Sequence, residues 1–180
     1  MLEQRELLNK KEIEITIERL CQQLIENHDD FKDTVIVGVQ PRGAFLSKRI
    51  IAKLQPLILA SNITSGNVDI SFYRDDLMRR EEPIIPEVMD MNLSVEGKNV
   101  VLIDDVLFTG RSIRSAIDAL MVFGRPKSIE LLILIDRRFS RHLPIQPNYV
   151  GRTIDEIDSG RVIVEWKEVN GKDRILMVKN

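Results

Sequence analysis

The stretch Val100-Val-Leu-Ile-Asp-Asp-Val-Leu-Phe-Thr-Gly-Arg-Ser112 runs four apolar residues straight into two adjacent carboxylates. A short loop ending in Thr109-Gly110 follows, and then a segment with Ile113, Ala116, Ile117, Leu120 and Met121 at helical spacing. The order predicts a buried strand over Val100–Ile103, acids at its carboxyl end, and a helix over Gly110–Phe123 that stops at Gly124. Ligands of open α/β sheets bind beyond the carboxyl ends of the strands. The first amides of the helix and its dipole favour a dianionic phosphate there. Thr109 and Ser112 add hydroxyls, and Gly110 permits close backbone approach. Successive strand residues point to opposite faces. If the strand stays regular, one of Asp104 and Asp105 binds ligand directly, while the other orders the loop or reaches a Mg2+ through water. The string implies a phosphorylated sugar as ligand class.

Outward from this string the chain alternates strands and helices. Residues 10–27 read as an amphipathic helix with Ile13, Ile17, Leu20, Leu24 and Ile25 on one face. Thr34–Val39 is a short β-branched strand, Pro41-Arg42-Gly43 a sharp turn, and Ala44 to about Leu54 a helix. Val68–Phe72 alternates as a strand, and Tyr73–Leu93 is a long charged loop of the kind that usually serves function. Ile129–Ile135 is continuously apolar, as in a central parallel strand. Arg161–Glu165 and Ile175–Val178 read as two late strands joined by a turn at Asn170-Gly171. The fold class is α/β: a mostly parallel sheet with helices on both faces. It forms one domain over 1–180, with a core over about 10–135 and a small C-terminal cap over about 136–180, the first helix nearby.

With 180 residues, 43% hydrophobic and 30% charged, the chain has the composition of a globular domain with a substantial core. Its net charge of -2 gives no global positive field for nucleic acid or membrane. One cysteine, Cys21, excludes an intrachain disulfide and a Cys-rich zinc site. His28 and His142 have no metal-ligand spacing and read as structural or solvent-facing. There is no P-loop and no dinucleotide glycine fingerprint. The N-terminus lacks a signal-peptide core and no apolar run approaches spanning length, so a cytoplasmic location and no membrane partner are expected.

The string from Val100 to Ser112 resembles the phosphoribosyl-diphosphate (PRPP) signature of type I phosphoribosyltransferases. Val37-Gly-Val-Gln-Pro-Arg-Gly43, Ile70-Ser-Phe-Tyr-Arg-Asp-Asp-Leu77, Phe123-Gly-Arg-Pro126, and Leu143-Pro-Ile145 through Tyr149-Val-Gly151 follow in an order that looks like the PyrR family. That family comprises pyrimidine operon attenuation proteins that are also uracil phosphoribosyltransferases. The resemblance spans nearly the whole chain. It implies the type I phosphoribosyltransferase fold with a C-terminal hood, and conversion of uracil and PRPP to UMP and pyrophosphate with Mg2+. It also implies control by UMP or UTP, a pyrimidine messenger leader as RNA partner, and a homo-oligomer, dimer or higher.

The resemblance also assigns residues. Gln40-Pro41-Arg42-Gly43 matches the pyrophosphate loop, in which Pro41 replaces the usual Thr and a cis peptide falls at Gln40–Pro41 or one position later. Asp104 and Asp105 are the signature acids and, through water, the metal partners. Val106, Leu107, Phe108, Thr109, Gly110, Arg111 and Ser112 form the phosphate loop. Tyr73–Leu93 is the closing loop, with Arg74 its first catalytic candidate and Arg79 and Arg80 a solvated charge run. Purine enzymes of this fold carry an Asp where Phe108 stands; an aromatic ring cannot transfer a proton, which points to a pyrimidine. Arg137 and the backbone at Val162 correspond to the uracil-reading positions, with a strand-end salt bridge the competing role for Arg137. On the RNA side Glu18, Gln22 and Gln146 replace the family's Thr, His and Arg, while Arg152 keeps a charge. Arg137, Arg138, Arg141 and Arg152 could form a basic patch.

Overall fold

A computed structural model describes residues 3–58, 62–71, 94–155 and 160–179. In chain order the elements are β1 (Glu3–Leu8), α1 (Lys10–His28), β2 (Thr34–Val39), α2 (Arg42–Leu54) and β3 (Thr64–Val68). They continue with β4 (Asn99–Leu107), α3 (Arg111–Leu120), β5 (Ser128–Arg137) and β6 (Tyr149–Ile154). The last are β7 (Arg161–Glu165), the single turn α4 (Lys167–Asn170) and β8 (Arg174–Lys179). Five strands form a parallel sheet in the order β3-β2-β4-β5-β6, and β1-β8-β7 form a separate antiparallel sheet.

The apolar runs are continuous because the parallel sheet is covered on both sides. Ile36, Val101, Ile103, Leu132 and Leu134 pack toward α1 and α2, and toward Val164, Trp166, Ile175 and Met177 of the small sheet. Val35, Val37, Val100, Leu102, Leu131 and Ile133 pack toward Ile113, Ala116, Ala119 and Leu120 of α3. The small sheet therefore docks through the same apolar core as α1 and α2. Helix α1 opens on a reciprocal cap: Glu12 N donates to Asn9 Oδ1 at 3.1 Å and Asn9 N to Glu12 Oε2 at 2.8 Å.

Several elements depart from the sequence reading. The strand expected over Val68–Phe72 lies earlier, at Thr64–Val68. It is an edge strand, so Thr64, Ser65 and Asn67 can stay polar, and Ser71 N turns back to Asp69 Oδ1 at 2.8 Å. Strand β4 continues four residues past Ile103, to Leu107. Helix α3 ends at Leu120 and tightens into a 3-10 turn over Met121–Phe123, which rotates Met121 out of the core to 48% exposure. Gly124 closes it at φ 128°. The turn at Asn170-Gly171 is not a two-residue hairpin. It is the end of α4, with Gly171 left-handed at φ 75° and its N–H donated to Lys167 O at 3.0 Å. The segment beyond Asp136 is only partly cap: β6 joins the parallel sheet, and the small sheet takes its far edge from β1. No described helix is long and apolar enough to cross a membrane.

The chain passes from β2 to β3 on one side and to β4 on the other, which makes the β2/β4 boundary the switch point where α/β sheets open a crevice. The first turn of α2 leans directly on β4 there. A Cβ on Gly43 would lie 2.4 Å from Ile103 O and 3.0 Å from Asp104 Cα. Gly43→Ala is expected to cost about 1–3 kcal/mol in urea unfolding, because main chain must move. Gly171→Asn, at an open left-handed position with no atom near the added Cβ, is expected to stay within about 0.5 kcal/mol of the parent.

Candidate active site

The β2/β4 crevice is a cleft of about 220 Å³ lined by Val39, Gln40, Pro41, Arg42, Ile70, Asp104, Asp105, Val106 and Ser112. Three strand ends and two helix starts converge on it. Strand β2 delivers Gln40, whose N–H bonds Val68 O at 2.9 Å and so ties it to the end of β3. The Gln40–Pro41 peptide is cis. The chain then enters α2 at Arg42, whose Nη1 donates to Val164 O of β7 at 3.2 Å.

Asp104 and Asp105 are 8% and 7% exposed and both line this one cleft. Asp105 N donates to Asp104 Oδ1 at 2.9 Å, so the first acid braces the backbone of the second. Asp105 Oδ2 is buried and has no hydrogen-bond partner among the described residues. Burial pushes both carboxyls above the ordinary Asp range; for Asp104 the neighbouring Asp105 charge adds to it, and for both the Arg42 guanidinium pulls the other way.

Beyond the acids the loop turns into α3 through Gly110, left-handed at φ 90°, with no side chain capping the helix. Thr109 Oγ1 accepts from Arg111 N at 3.4 Å, the role of a local turn-former. The loop is backed by the segment after β5. Thr109 O accepts from His142 N at 3.0 Å and Leu143 N at 3.2 Å. Arg141 donates to Leu107 O at 3.2 Å, Phe108 O at 2.6 Å, Arg137 O at 3.3 Å and Ile145 O at 3.0 Å, and pairs with Asp136. These bonds occupy loop carbonyls from behind.

Of the residues read as site residues, Pro41, Arg42, Asp104, Asp105, Val106 and Ser112 line the cleft together, with Gly43 at its back wall. Leu107 does not: its side chain is buried in the α3-side core, so only its backbone belongs to the loop. Phe108 is 46% exposed, and the Arg137 guanidinium lies over its ring at 4.5 Å from the centroid. Its neighbour Asp136 pairs with Arg141. Val162 lies on β7, the edge strand of the small sheet, and its side chain is core. Residues two apart on a strand turn their backbone groups the same way. Because Val164 O faces Arg42 from the open edge, the N–H and C=O of Val162 share that edge. Arg74, Arg79 and Arg80 lie outside the described residues.

Gln40 lines the cleft as the first residue of the expected pyrophosphate loop, and Val39 and Ile70 line it without having been singled out as site residues. Their signal is positional: each sits at or just past the carboxyl end of a parallel strand, and for Ile70 the late placement of β3 hid it. Arg141 read only as part of a basic patch, and nothing in its spacing shows that it straps the loop. Away from the cleft, Cys21 is buried against α2 and its thiol is pushed up to about 11 by burial. His28 bonds Thr34 Oγ1 at 3.0 Å and Glu130 Oε2 at 3.1 Å near the amino ends of the strands, a structural role.

The Phosphoribosyl transferase domain family matches residues 3–168. The Bifunctional protein PyrR of Endomicrobium trichonymphae is 40% identical over 177 residues, covering 96% of this chain and 98% of the relative. That of Enterococcus faecalis is 39% identical over 175 residues and covers 97% of each chain. The PyrR of Bacillus subtilis is 34% identical over 177 residues, covering 97% of this chain and 96% of the relative. Among solved structures, a hypoxanthine phosphoribosyltransferase from Staphylococcus aureus shares the fold with a TM-score of 0.71. That match covers 98% of this chain and 92% of the other at 23% identity. Two acids in a switch-point cleft and near-full-length identity to these relatives lead to one assignment: this chain is a phosphoribosyltransferase-fold member of the PyrR family.

Proposed function

We propose that the protein transfers the phosphoribosyl group of PRPP to uracil, and that UMP or UTP governs its hold on a pyrimidine leader RNA. The observation that carries the catalytic half is the pair of buried carboxylates, one oxygen without a partner among the described residues, in one cleft with the Gln40–Gly43 turn and the start of α3. In the proposed reaction the bond from C1′ of the ribose to pyrophosphate breaks, and its electron pair leaves on pyrophosphate oxygen. Uracil N1 bonds to C1′ and its proton passes to solvent. The transition state is oxocarbenium-like, so what the site must supply is neutralisation of the leaving group and exclusion of water.

Each part has a named candidate. The amides from Phe108 to Ser112, with the Thr109 and Ser112 hydroxyls, hold the 5′-phosphate at the uncapped start of α3. Arg42 exchanges Val164 O for a diphosphate oxygen, and Gly43 lets the loop lie close to β4. Arg74, outside the described residues, is the further candidate for the pyrophosphate. Asp104 and Asp105 flank the ribose and its developing positive charge. Mg2+ fits this donor set when it arrives with the diphosphate. No group of three or more His, Cys, Asp or Glu stands ready for a metal among the described residues, and such an ion needs only one or two carboxylates beside phosphates and water. Asp104 and Asp105, the latter with its unsatisfied oxygen, would hold it, and it would supply charge neutralisation on the pyrophosphate. Uracil offers two carbonyls and an N3–H, met by Arg137 and by the open-edge backbone of Val162. Phe108 takes no part in proton transfer.

The RNA half has a narrower footing. Arg138 pairs with Asp155, Arg141 is spent on the loop, Arg152 donates to Leu7 O at 2.6 Å, and Glu18 pairs with Lys53. We place the RNA on this Arg138–Arg152 face, with few phosphates neutralised. Assembly into a dimer or higher oligomer completes the proposal.

Incubation with uracil, PRPP and Mg2+ is expected to release pyrophosphate; turnover of hypoxanthine or guanine in place of uracil rejects the reading. Asp105→Asn is expected to lower kcat/KM by about 100-fold or more, the scale seen when a group stabilising transition-state charge is removed, while Cys21→Ala leaves it unchanged. The same burial makes the acids a liability to the fold. An acid whose pKa is raised on folding loses stability as pH climbs from its unfolded pKa through its folded one. In chelator, Asp104→Asn should therefore melt at least about 2–4 °C above the parent at pH 8, and this advantage should vanish near pH 4. Leader-RNA binding should show a salt slope (log K against log salt) no steeper than about -2, and a slope beyond about -4 overturns the assigned face.

A further inference from the structure

Strands β4 and β5 are parallel neighbours whose register pairs Leu107 with Asp136. The next residues are Phe108 and Arg137, and the guanidinium carbon lies over the ring, 4.5 Å from its centroid. Arg137 is 6% exposed while Phe108 is half open. One nitrogen of Arg141 accounts for the alignment of their backbones, since Nη1 donates to Phe108 O at 2.6 Å and to Arg137 O at 3.3 Å. Two separate devices, strand register and the Arg141 bridge, thus hold the aromatic residue and the arginine as a pair.

The chemistry of this contact differs from that of an ion pair. A carboxylate takes a guanidinium by its N–H edge and consumes donors. An aromatic ring takes it by its face and consumes none. We propose that Phe108 is a positioning residue for base recognition: it fixes the plane of the Arg137 guanidinium by its face, so that the donor edge meets a pyrimidine carbonyl. The inference rests on the reading of Arg137 as a uracil contact given above. Phe108 acts through Arg137 and not by touching the base. It also sets what position 108 selects: an Asp there would draw Arg137 into an edge-on pair and away from the carbonyl.

The test is a double-mutant cycle on steady-state uracil and PRPP kinetics with Phe108→Leu, Arg137→Gln and the pair, alongside Phe108→Tyr. Phe108→Leu should raise KM for uracil about three- to thirty-fold, leave KM for PRPP within about two-fold, and melt with the parent. Phe108→Tyr, which keeps the ring face, should restore uracil KM. In the Arg137→Gln background, Phe108→Leu should add less than about two-fold. Additive costs overturn the proposal, because Phe108 would then contact the base itself. Equal rises in both KM values overturn it as loop distortion. A parent that does not turn over uracil, or an Arg137→Gln variant with unchanged uracil KM, overturns the uracil reading and this inference with it. Additivity on top of an impaired Arg137→Gln variant overturns the inference alone.

Discussion

The contact on which the cleft depends is the bare main-chain approach of α2 to β4. Ile103 O sits where a Gly43 side chain would begin. Without that approach, the turn at Gln40–Arg42 could not share a cleft with Asp104 and Asp105. The approach follows from topology. Strand β2 stops at Val39, one residue past the Gly38–Ile103 pair, while its parallel neighbour β4 runs on to Leu107, so α2 must leave β2 over β4 to cover the sheet. A helix start laid over a strand end brings a positive dipole end and an arginine above two acids. The same crossing therefore closes the core and opens the cleft.

That placement has an energetic consequence. Two carboxylates held below a tenth exposure, one accepting from the amide of the other and one with an oxygen that has no partner among the described residues, are worse off than in water. Arg42 offsets part of the penalty at a distance, while its own hydrogen bond goes to Val164 O. The apolar layers on both faces of the sheet carry the remainder. A site that is poorly solvated when empty gains most from a cationic or hydroxyl-bearing ligand, because binding supplies the interactions that folding removed.

How much of this was legible in the sequence follows from how local each signal is. Thr34–Val39 and Arg161–Glu165 read correctly to the residue, since β-branched runs between turn signals decide themselves. The string from Val100 to Ser112 located the acids and the α3 start for the same reason. What was missed depends on partners far along the chain. Strand β1 exists because β8 offers it an edge, and β6 because β5 does. Among the described strands only β2 flanks the polar β3, so its hydropathy gave no purchase and the alternation after Val68 misled. Met121 fitted the helical stripe, but the last turn tightened and shifted its angle. Among site residues, Leu107 looked like loop and is core, while Arg141 looked like surface charge and is a strap. Neither distinction has a period or a motif, because each is set by what comes to lie behind the loop.

The small sheet brings a structural liability close to the cleft. An open edge of a β-sheet exposes unpaired amides and carbonyls, and proteins usually blunt it. Here β7 is such an edge, and its open side is turned to the cleft, where Arg42 already takes Val164 O. Its orientation is rigid for reasons outside the cleft. Trp166, Ile175 and Met177 are sunk in the common core. Arg49 of α2 grips Glu168 and Asp173 at 2.7 and 2.6 Å and lies over the Trp166 ring. One helix thus holds the small sheet at both ends, through Arg42 beside the cleft and Arg49 behind it. An edge fixed in this way holds the N–H and C=O of a single residue, Val162, on the same open side as Val164 O. A flat heterocycle with alternating carbonyl and N–H groups is the kind of ligand such an edge can read without any side chain of its own. The side chain of Val162 is left to the core, so under the proposed reading a base would meet only its backbone.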